Sequence, residues 1–304
     1  DGGKRRELLR QLPACQGGLI FLFPRTRPVR VGCGPDKKGR NAVDAKEIAA
    51  LADRIAEGRL NRTTMDWLAG ATASLSEADA YKVQFAVHDR LGAGGMKLAG
   101  WKVAFAVPAQ YEPLKLSGPA FAGIYTSGIK QSGAVFEKGW PLKAGIECEM
   151  VARMAKDAPA GTQYTADSIK AYVANLYCGM EVVDNRYGDA SKLGGPGRIT
   201  DDVLQAACII GTEIKDWQKL DFATVQGRSE HEGKELAAGP GSNVMGGAMI
   251  SLAWLANRLI ANGYALKAGD VILTGSVHPP QFLSGPGVAK TEFVGLGGAE
   301  ITVK

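Results

Sequence analysis

A mixed α+β fold on a largely antiparallel sheet is the class this sequence predicts, on three observations. The 304 residues are 45% hydrophobic and 22% charged, which suffices to bury a large core. Helical and strand patterns both recur after residue 44. They do not follow the strict strand–helix alternation that a doubly wound parallel sheet demands, and no internal repeat appears.

The first regular element is "DAKEIAALADRIAEGRL", which starts at Asp44 as an N-cap with Glu47 three residues on. Ile48, Leu51 and Ile55 share one stripe, so a helix is expected up to Gly58. "SEADAYKVQFAVHDRLGAGG" gives a second helix, capped by Ser76 and stopped by the glycines at 92, 94 and 95. "KLAGWKVAFAV" is rich in strand formers, and "GAVFEKGWPLKAGIECEMVARM" reads as two strands with a turn-rich connection. Residues 166–178, "ADSIKAYVANLYC", place Ile169, Tyr172, Val173, Leu176 and Tyr177 at helical spacing and predict a helix. "GMEVVDNRYGD" then reads as a short strand running into a loop. Beyond a glycine-rich stretch at 194–197, "QAACIIGTEI" predicts a buried strand and "MGGAMISLAWLANRLIANG" a core helix closed at Asn262-Gly263. "GDVILTGSV" and "GAEITV" add the last strands.

Charge divides the chain in two. Residues 1–40 hold ten Lys/Arg and three Asp/Glu, a balance of +7, which leaves a body of −2 within the overall +5. A nearly neutral body argues against nucleic acid as the partner of the fold, since such proteins concentrate basic surface on the binding module. The segment 1–43 shows no sustained period and is read as a basic, disordered leader, with an Arg-rich organellar transit peptide or a start site assigned too far upstream as alternatives. Residues 44–304 are read as a single domain, helical through 98 and β-rich from 99. The five cysteines (Cys15, Cys33, Cys148, Cys178, Cys208) are odd in number and widely spaced, which fits neither a disulfide framework nor a zinc pattern and points to the cytoplasm. No membrane partner is expected.

Within "GIECEM", Glu147 and Glu149 leave the same face of a strand that otherwise looks built for burial. Glu181 interrupts a second apolar strand in "GMEVVD", where an unpaired charge would be expensive. Two same-face carboxylates and a third from elsewhere suit a hard divalent cation, Mg²⁺ or Mn²⁺. The competing reading is a solvated sheet face. Lys102, alone among the apolar residues of "GWKVAF", is either a snorkelling surface lysine, which spacing favours, or a desolvated amine fitted for proton transfer.

In chain order, "GWKVAF" near residue 100, "PLKAGIECEM" at 141–150, "MEVVDNR" at 180–186, "WLA" at 254–256 and "GDVILTG" at 269–275 resemble the 2-keto-4-pentenoate hydratase group of the fumarylacetoacetate hydrolase superfamily. The resemblance covers roughly residues 44–304 and makes that stretch the catalytic domain. It implies a mixed, mostly antiparallel β-roll flanked by helices, and Mg²⁺ or Mn²⁺ held by an E-x-E pair and a later acid, matched here by Glu147, Glu149 and Glu181. It also implies a small-molecule 2-oxo acid or enol as substrate, chelating through its carboxylate and 2-oxygen. Lys102 matches the group's active-site lysine, and Thr274 a segment near the substrate carboxylate. The implied activity is hydration of a 2-hydroxy-dienoate or 2-oxo-enoate in aromatic-compound degradation. A 4-oxalocrotonate-type decarboxylase and a non-catalytic partner subunit are the alternatives, and self-association is implied, with a paralogous hydratase or decarboxylase subunit as a further partner.

The chain also departs from that pattern. Where relatives carry P-D-F-G it has Ala120 at the Asp position, and where they carry D-N-A-S it reads D-D-V-L, with Asp202 for Asn and Leu204 for Ser. Asp202 is either a replacement acid, base or substrate contact, or a solvated loop residue, the latter being favoured. A cation is favoured near the C-terminal end of the second helix, so His88 is expected to be structural. His231 lies in the polar segment "GRSEHEGKE" and His278 precedes two prolines. No His-and-Glu lid pair precedes the Lys102 strand, which favours hydration or decarboxylation over carbon–carbon hydrolysis. "KLGGPG" at 192–197 lacks the context of a phosphate loop.

Overall fold

The computed structural model describes residues 43–304, so the expected leader lies outside the described residues. The chain enters through α1 (Ala45–Leu60), where Asp44 caps the helix by accepting the Glu47 N–H at 2.8 Å. This helix does not stop at Gly58 but runs on to Leu60. The glycine is there for packing: a Cβ would meet Met65 Sδ at 2.7 Å. α2 (Leu68–Ala71) links to α3 (Glu77–Ala93), whose Ser76 cap accepts the Asp79 N–H at 3.1 Å. Leu51 and Ile55 of α1 pack with Val83, Val87 and Leu91 of α3 in a helical subcore.

The strands follow as β1 (Leu98–Ala104), β2 (Ala120–Tyr125), β3 (Ile129–Gln131), β4 (Ala134–Phe136), β5 (Ala144–Met154), β6 (Val173–Asp184) and β7 (Gln205–Glu213). Short helices α4 (Tyr111–Leu114), α5 (Ala166–Lys170) and α6 (Gly195–Thr200) fill three of the connections. A hairpin, β8 (Gln226–His231) and β9 (Lys234–Pro240), leads to the core helix α7 (Ala248–Ala261), which closes at Asn262-Gly263 as expected. β10 (Val271–Ser276), β11 (Gln281–Phe282), β12 (Gly287–Phe293) and β13 (Gly297–Val303) end the chain. The larger sheet has the order β2-β1-β10-β5-β6-β7-β3, with β11 also on β5, and the smaller has β4-β13-β12-β8-β9. Among the described residues the pairings are antiparallel except β1–β10, β3–β7 and β4–β13, the mixed, mostly antiparallel arrangement that was expected.

One local expectation fails for an instructive reason. The helix expected over 166–178 ends at Lys170, and β6 begins at Val173. The apolar spacing there fits a helix and a strand about equally well, and pairing decides: β6 runs beside β5 from Met154↔Val173 to Ala144↔Asp184, so long-range register overrides the local pattern. The polar segment around His231 is the β8–β9 hairpin, whose turn residues Glu232 (φ 52°) and Gly233 (φ 74°) are both left-handed, as a tight hairpin requires. Its charged residues face outward while Ser229 and His231 are buried.

The two sheets pack face to face. Ile146, Met180, Val182 and Ile209 of the larger sheet meet Ala289, Ala299 and Ile301 of the smaller. Strand periodicity then sends the odd-numbered side chains of β5 to the opposite face, where Val151 packs with Ile124, Leu273, Cys208 and Ile210. That inner face of the curled sheet carries Glu147 and Glu149. A Cβ at Gly100 would lie 1.8 Å from the Val271 carbonyl oxygen, so β1 and β10 can pair only around a glycine. Gly100→Ala is expected to cost about 3 kcal/mol or more, because backbone cannot yield as a side chain does. Gly70→Ala in α2, with nothing within 4 Å, should be neutral or gain about 0.5–1 kcal/mol. Denaturant unfolding of both variants checks the contrast, and equal stabilities would contradict the packing.

Candidate active site

Antiparallel register builds the acidic cluster. Glu147 on β5 stands opposite Glu181 on β6, and Glu149 lies two positions along the same face. One carboxylate oxygen from each of the three lies within 4.8 Å of the others. Glu149 and Glu181 are each 1% exposed, and Glu147, only partly buried, retains access to solvent. The solvated-face reading of these glutamates therefore fails.

Lys102 comes from β1, across β10, and is 2% exposed. Its Nζ donates to Glu181 Oε1 at 2.6 Å and to the Val203 carbonyl at 2.8 Å. A snorkelling lysine would carry its charge to water. This one carries it inward, so the surface-lysine reading is overturned.

Burial dominates the electrostatics of the cluster. It pushes Glu147 up to about 8, reinforced by the Glu181 charge and only partly relieved by Lys102. Burial, then Glu181 and Glu147, holds Glu149 well above the usual carboxylate range despite the Gly275 N–H that donates to its Oε2 at 2.7 Å. Glu181 is also raised by burial, which outweighs its ion pair with Lys102. Three carboxylates and one ammonium, fully ionised, leave two negative charges uncompensated in a desolvated site, and an excess of that kind is costly unless it is matched. The excess equals the charge of one divalent cation, and an all-oxygen donor set is the chemistry such hard ions prefer. The residues present thus fit a divalent metal.

Thr274 lies beside the cluster, 1% exposed. Its hydroxyl donates to the Met150 carbonyl at 3.1 Å and its own carbonyl accepts from Ser251 Oγ at 2.6 Å, so the side chain braces β10 on β5 next to Glu149. Asp202 differs from the expected solvated loop residue. It is wholly buried, and Oδ1 accepts from the Gly123 N–H at 2.9 Å and meets His88 Nε2 at 2.7 Å. Oδ2 accepts from Arg59 NH1 at 2.9 Å and from the Tyr125 hydroxyl at 2.8 Å. Burial alone would raise its pKa, yet His88, Arg59 and the Gly123 amide outweigh that and hold the carboxyl well below its ordinary value. With both oxygens occupied by neighbours of the chain, no open oxygen is left for the substrate contact expected of Asp202.

His88 is structural as expected, but through this contact with Asp202 rather than through the helix end. Sequence reasoning missed Arg59, Tyr125, Arg186 and Asp201. Arg59 sits at the end of α1 and reaches Asp201 and Asp202, while Arg186 Nε donates to Asp201 Oδ2 at 2.9 Å. "DNR" at 184–186 was the available signal, since a buried arginine after an apolar strand must find a carboxylate. His278 Nε2 is 2.7 Å from Ser229 Oγ of β8, in the smaller sheet.

The raised carboxyls make stability depend on pH. Folded, they keep protons to higher pH than in the unfolded chain, where Glu titrates near ~4.3. Their contribution is complete below that value and is lost as pH rises through about 8, the folded value of Glu147. In a chelator, Tm should fall from pH ~5 to ~8, and added Mn²⁺ should restore it most at the upper end. A flat profile indifferent to Mn²⁺ would contradict the cluster's electrostatics.

A 2-keto-4-pentenoate hydratase of Burkholderia vietnamiensis is 26% identical over 85% of this chain and 98% of its own length. A 4-oxalocrotonate decarboxylase of Pseudomonas putida is 24% identical over 77% of this chain and 88% of its own. Among solved structures, 4-oxalocrotonate decarboxylase from Pseudomonas putida, complexed with magnesium and adipate, superposes with a TM-score of 0.80 at 22% identity, covering 87% of this chain and all of that one, a likeness of fold. The family model described as fumarylacetoacetate (FAA) hydrolase C-terminal matches residues 104–304, a span that takes in the three glutamates and starts just after Lys102. The chain belongs to that family.

Proposed function

We propose that this chain is a divalent-metal-dependent lyase that adds water to a 2-hydroxy-dienoate or 2-oxo-enoate of the kind met in aromatic-compound degradation. The observation that carries the reading is the buried cluster of Glu147, Glu149 and Glu181 with Lys102 bonded to it. Curated relatives named 2-keto-4-pentenoate hydratase and 2-hydroxyhexa-2,4-dienoate hydratase support the substrate class. A solved structure complexed with magnesium and another complexed with Mn²⁺ and pyruvate support the choice of a hard cation, Mg²⁺ or Mn²⁺.

In this reading Glu147, Glu149 and Glu181 hold the cation, and Gly275 fixes the carboxylate of Glu149 through its N–H. A divalent ion held there would supply Lewis acidity toward a 2-oxo acid. Lys102 binds substrate oxygen or moves a proton at Nζ between enol and keto forms, and its bond to Glu181 keeps the amine oriented until substrate arrives. Apolar residues of β2, β5, β7 and β10, among them Ile124, Val151, Ile210 and Leu273, limit the access of bulk water to that transfer. The protein acts as a homo-oligomer, and a paralogous decarboxylase or hydratase is its natural partner subunit.

Glu149→Gln is expected to weaken Mn²⁺ binding by more than the roughly 10–100-fold that loss of an outer-shell partner costs, with the far-UV signal intact. Lys102→Ala should cut kcat by about 10²-fold or more while metal affinity holds, in line with a lost general acid–base. Turnover is followed as loss of 2-hydroxypenta-2,4-dienoate, alongside CO₂ release from 4-oxalocrotonate. CO₂ release alone would make the chain a decarboxylase, and inactivity on both a partner subunit. Unchanged Mn²⁺ affinity in Glu149→Gln would remove the metal assignment.

A further inference from the structure

The connection between α6 and β7 contains three successive non-glycine residues in the left-handed region: Asp202 (φ 50°), Val203 (φ 48°) and Leu204 (φ 66°). A run of this kind is unfavourable for L-residues, most of all at a β-branched one such as Val203, and it persists only where the surroundings over-determine it. Here they do. Val203 is anchored in the core that includes α7 and Trp101, and Leu204 in the separate subcore of α1 and α3. Asp202 is tied to His88 of α3, Gly123 and Tyr125 of β2 and Arg59 of α1. The strained turn offers one group to the acidic cluster, the Val203 carbonyl, which accepts from Lys102 Nζ at 2.8 Å.

We propose that the 202–204 turn is a clamp on Lys102, and that Asp202, held by His88, Arg59 and Tyr125, is the positioning residue that keeps the clamp closed. The assignment rests on the proposed function for its catalytic consequence, though the clamp itself does not need it. An ammonium has three N–H groups. Glu181 and Val203 take two, which fixes the direction of the third and leaves it for substrate oxygen. In an extended backbone the Val203 carbonyl would leave this position, and Lys102 would have only a single flexible ion pair to define it. Asp202 thus acts through the turn, without touching substrate.

The test uses the full-length protein and two variants: Asp202→Asn, which keeps the shape and removes the charge, and Tyr125→Phe, which removes one donor and should fold even if the first does not. The first readout is the rate at which acetic anhydride acetylates Lys102, followed by peptide mass spectrometry with Lys219 as an exposed internal standard. Opening the clamp should speed Lys102 by about tenfold in Asp202→Asn, and by less in Tyr125→Phe, as local opening becomes easier. The second is kinetic. kcat should fall by up to about 10²-fold, the cost of misplacing a reacting group by ~1 Å, while KM and Mn²⁺ affinity stay within about threefold. In a Lys102→Ala background, Asp202→Asn should add less than about twofold to the loss, since both changes act on one group. Wild-type acetylation rates in both variants, or additive kinetic losses, would overturn the clamp. If the wild-type chain neither binds Mn²⁺ nor turns over either substrate, the proposed function falls, and the acetylation rates still decide the clamp.

Discussion

A surplus of carboxyls inside a desolvated sheet face, three against the one amine of Lys102, is the constraint on which the rest of the structure depends. Glu147, Glu149 and Glu181 meet because β5 and β6 pair in one register, and a slip of one residue between the two strands would put Glu147 and Glu149 on the opposite face from Glu181. Lys102 offsets one charge and no more. The length of the β5–β6 ladder, the apolar cover of Val151, Leu273 and Ile210, and the glycine that lets β1 lie against β10 all hold these charges in place. Together they keep like charges close, which stability alone would select against and which a site that takes up a cation requires.

A second buried polar layer lies under the helices. Arg59, Arg186, Asp201, Asp202 and Tyr187 pair with one another, with Tyr187 Oη donating to Asp201 Oδ2 at 2.5 Å. It joins α1 and α3 to the turn that meets Lys102. The two layers differ in composition: here each carboxylate has a guanidinium partner, which gives rigidity, whereas the glutamate cluster has one amine for three carboxyls.

How much of this was legible in the sequence follows from how local each signal is. The caps at Asp44 and Ser76 and the close of α7 depend on residues a few positions apart and were read correctly. So was the shared face of Glu147 and Glu149, which follows from strand period alone. The start of β6 was misread because "ADSIKAYVANLYC" satisfies both periods, and only its partner β5 decides between them. Whether Lys102 and Asp202 were buried could not be read at all. Lys102 bonds to a carboxylate 79 positions away, and Asp202 to a histidine 114 away, distances at which spacing carries no information. The resemblance to relatives supplied the role proposed for the lysine. It gave no sign of the left-handed turn, since a D-D-V-L string carries none of the glycine or asparagine that usually announces one.

The account stands most directly on calorimetric titration of the purified protein with Mn²⁺, followed by oxalate, a mimic of the 2-oxo-acid chelate. It predicts one Mn²⁺ per chain and oxalate binding that appears only after the metal is loaded. Absence of Mn²⁺ binding, or oxalate binding that ignores the metal, would contradict it.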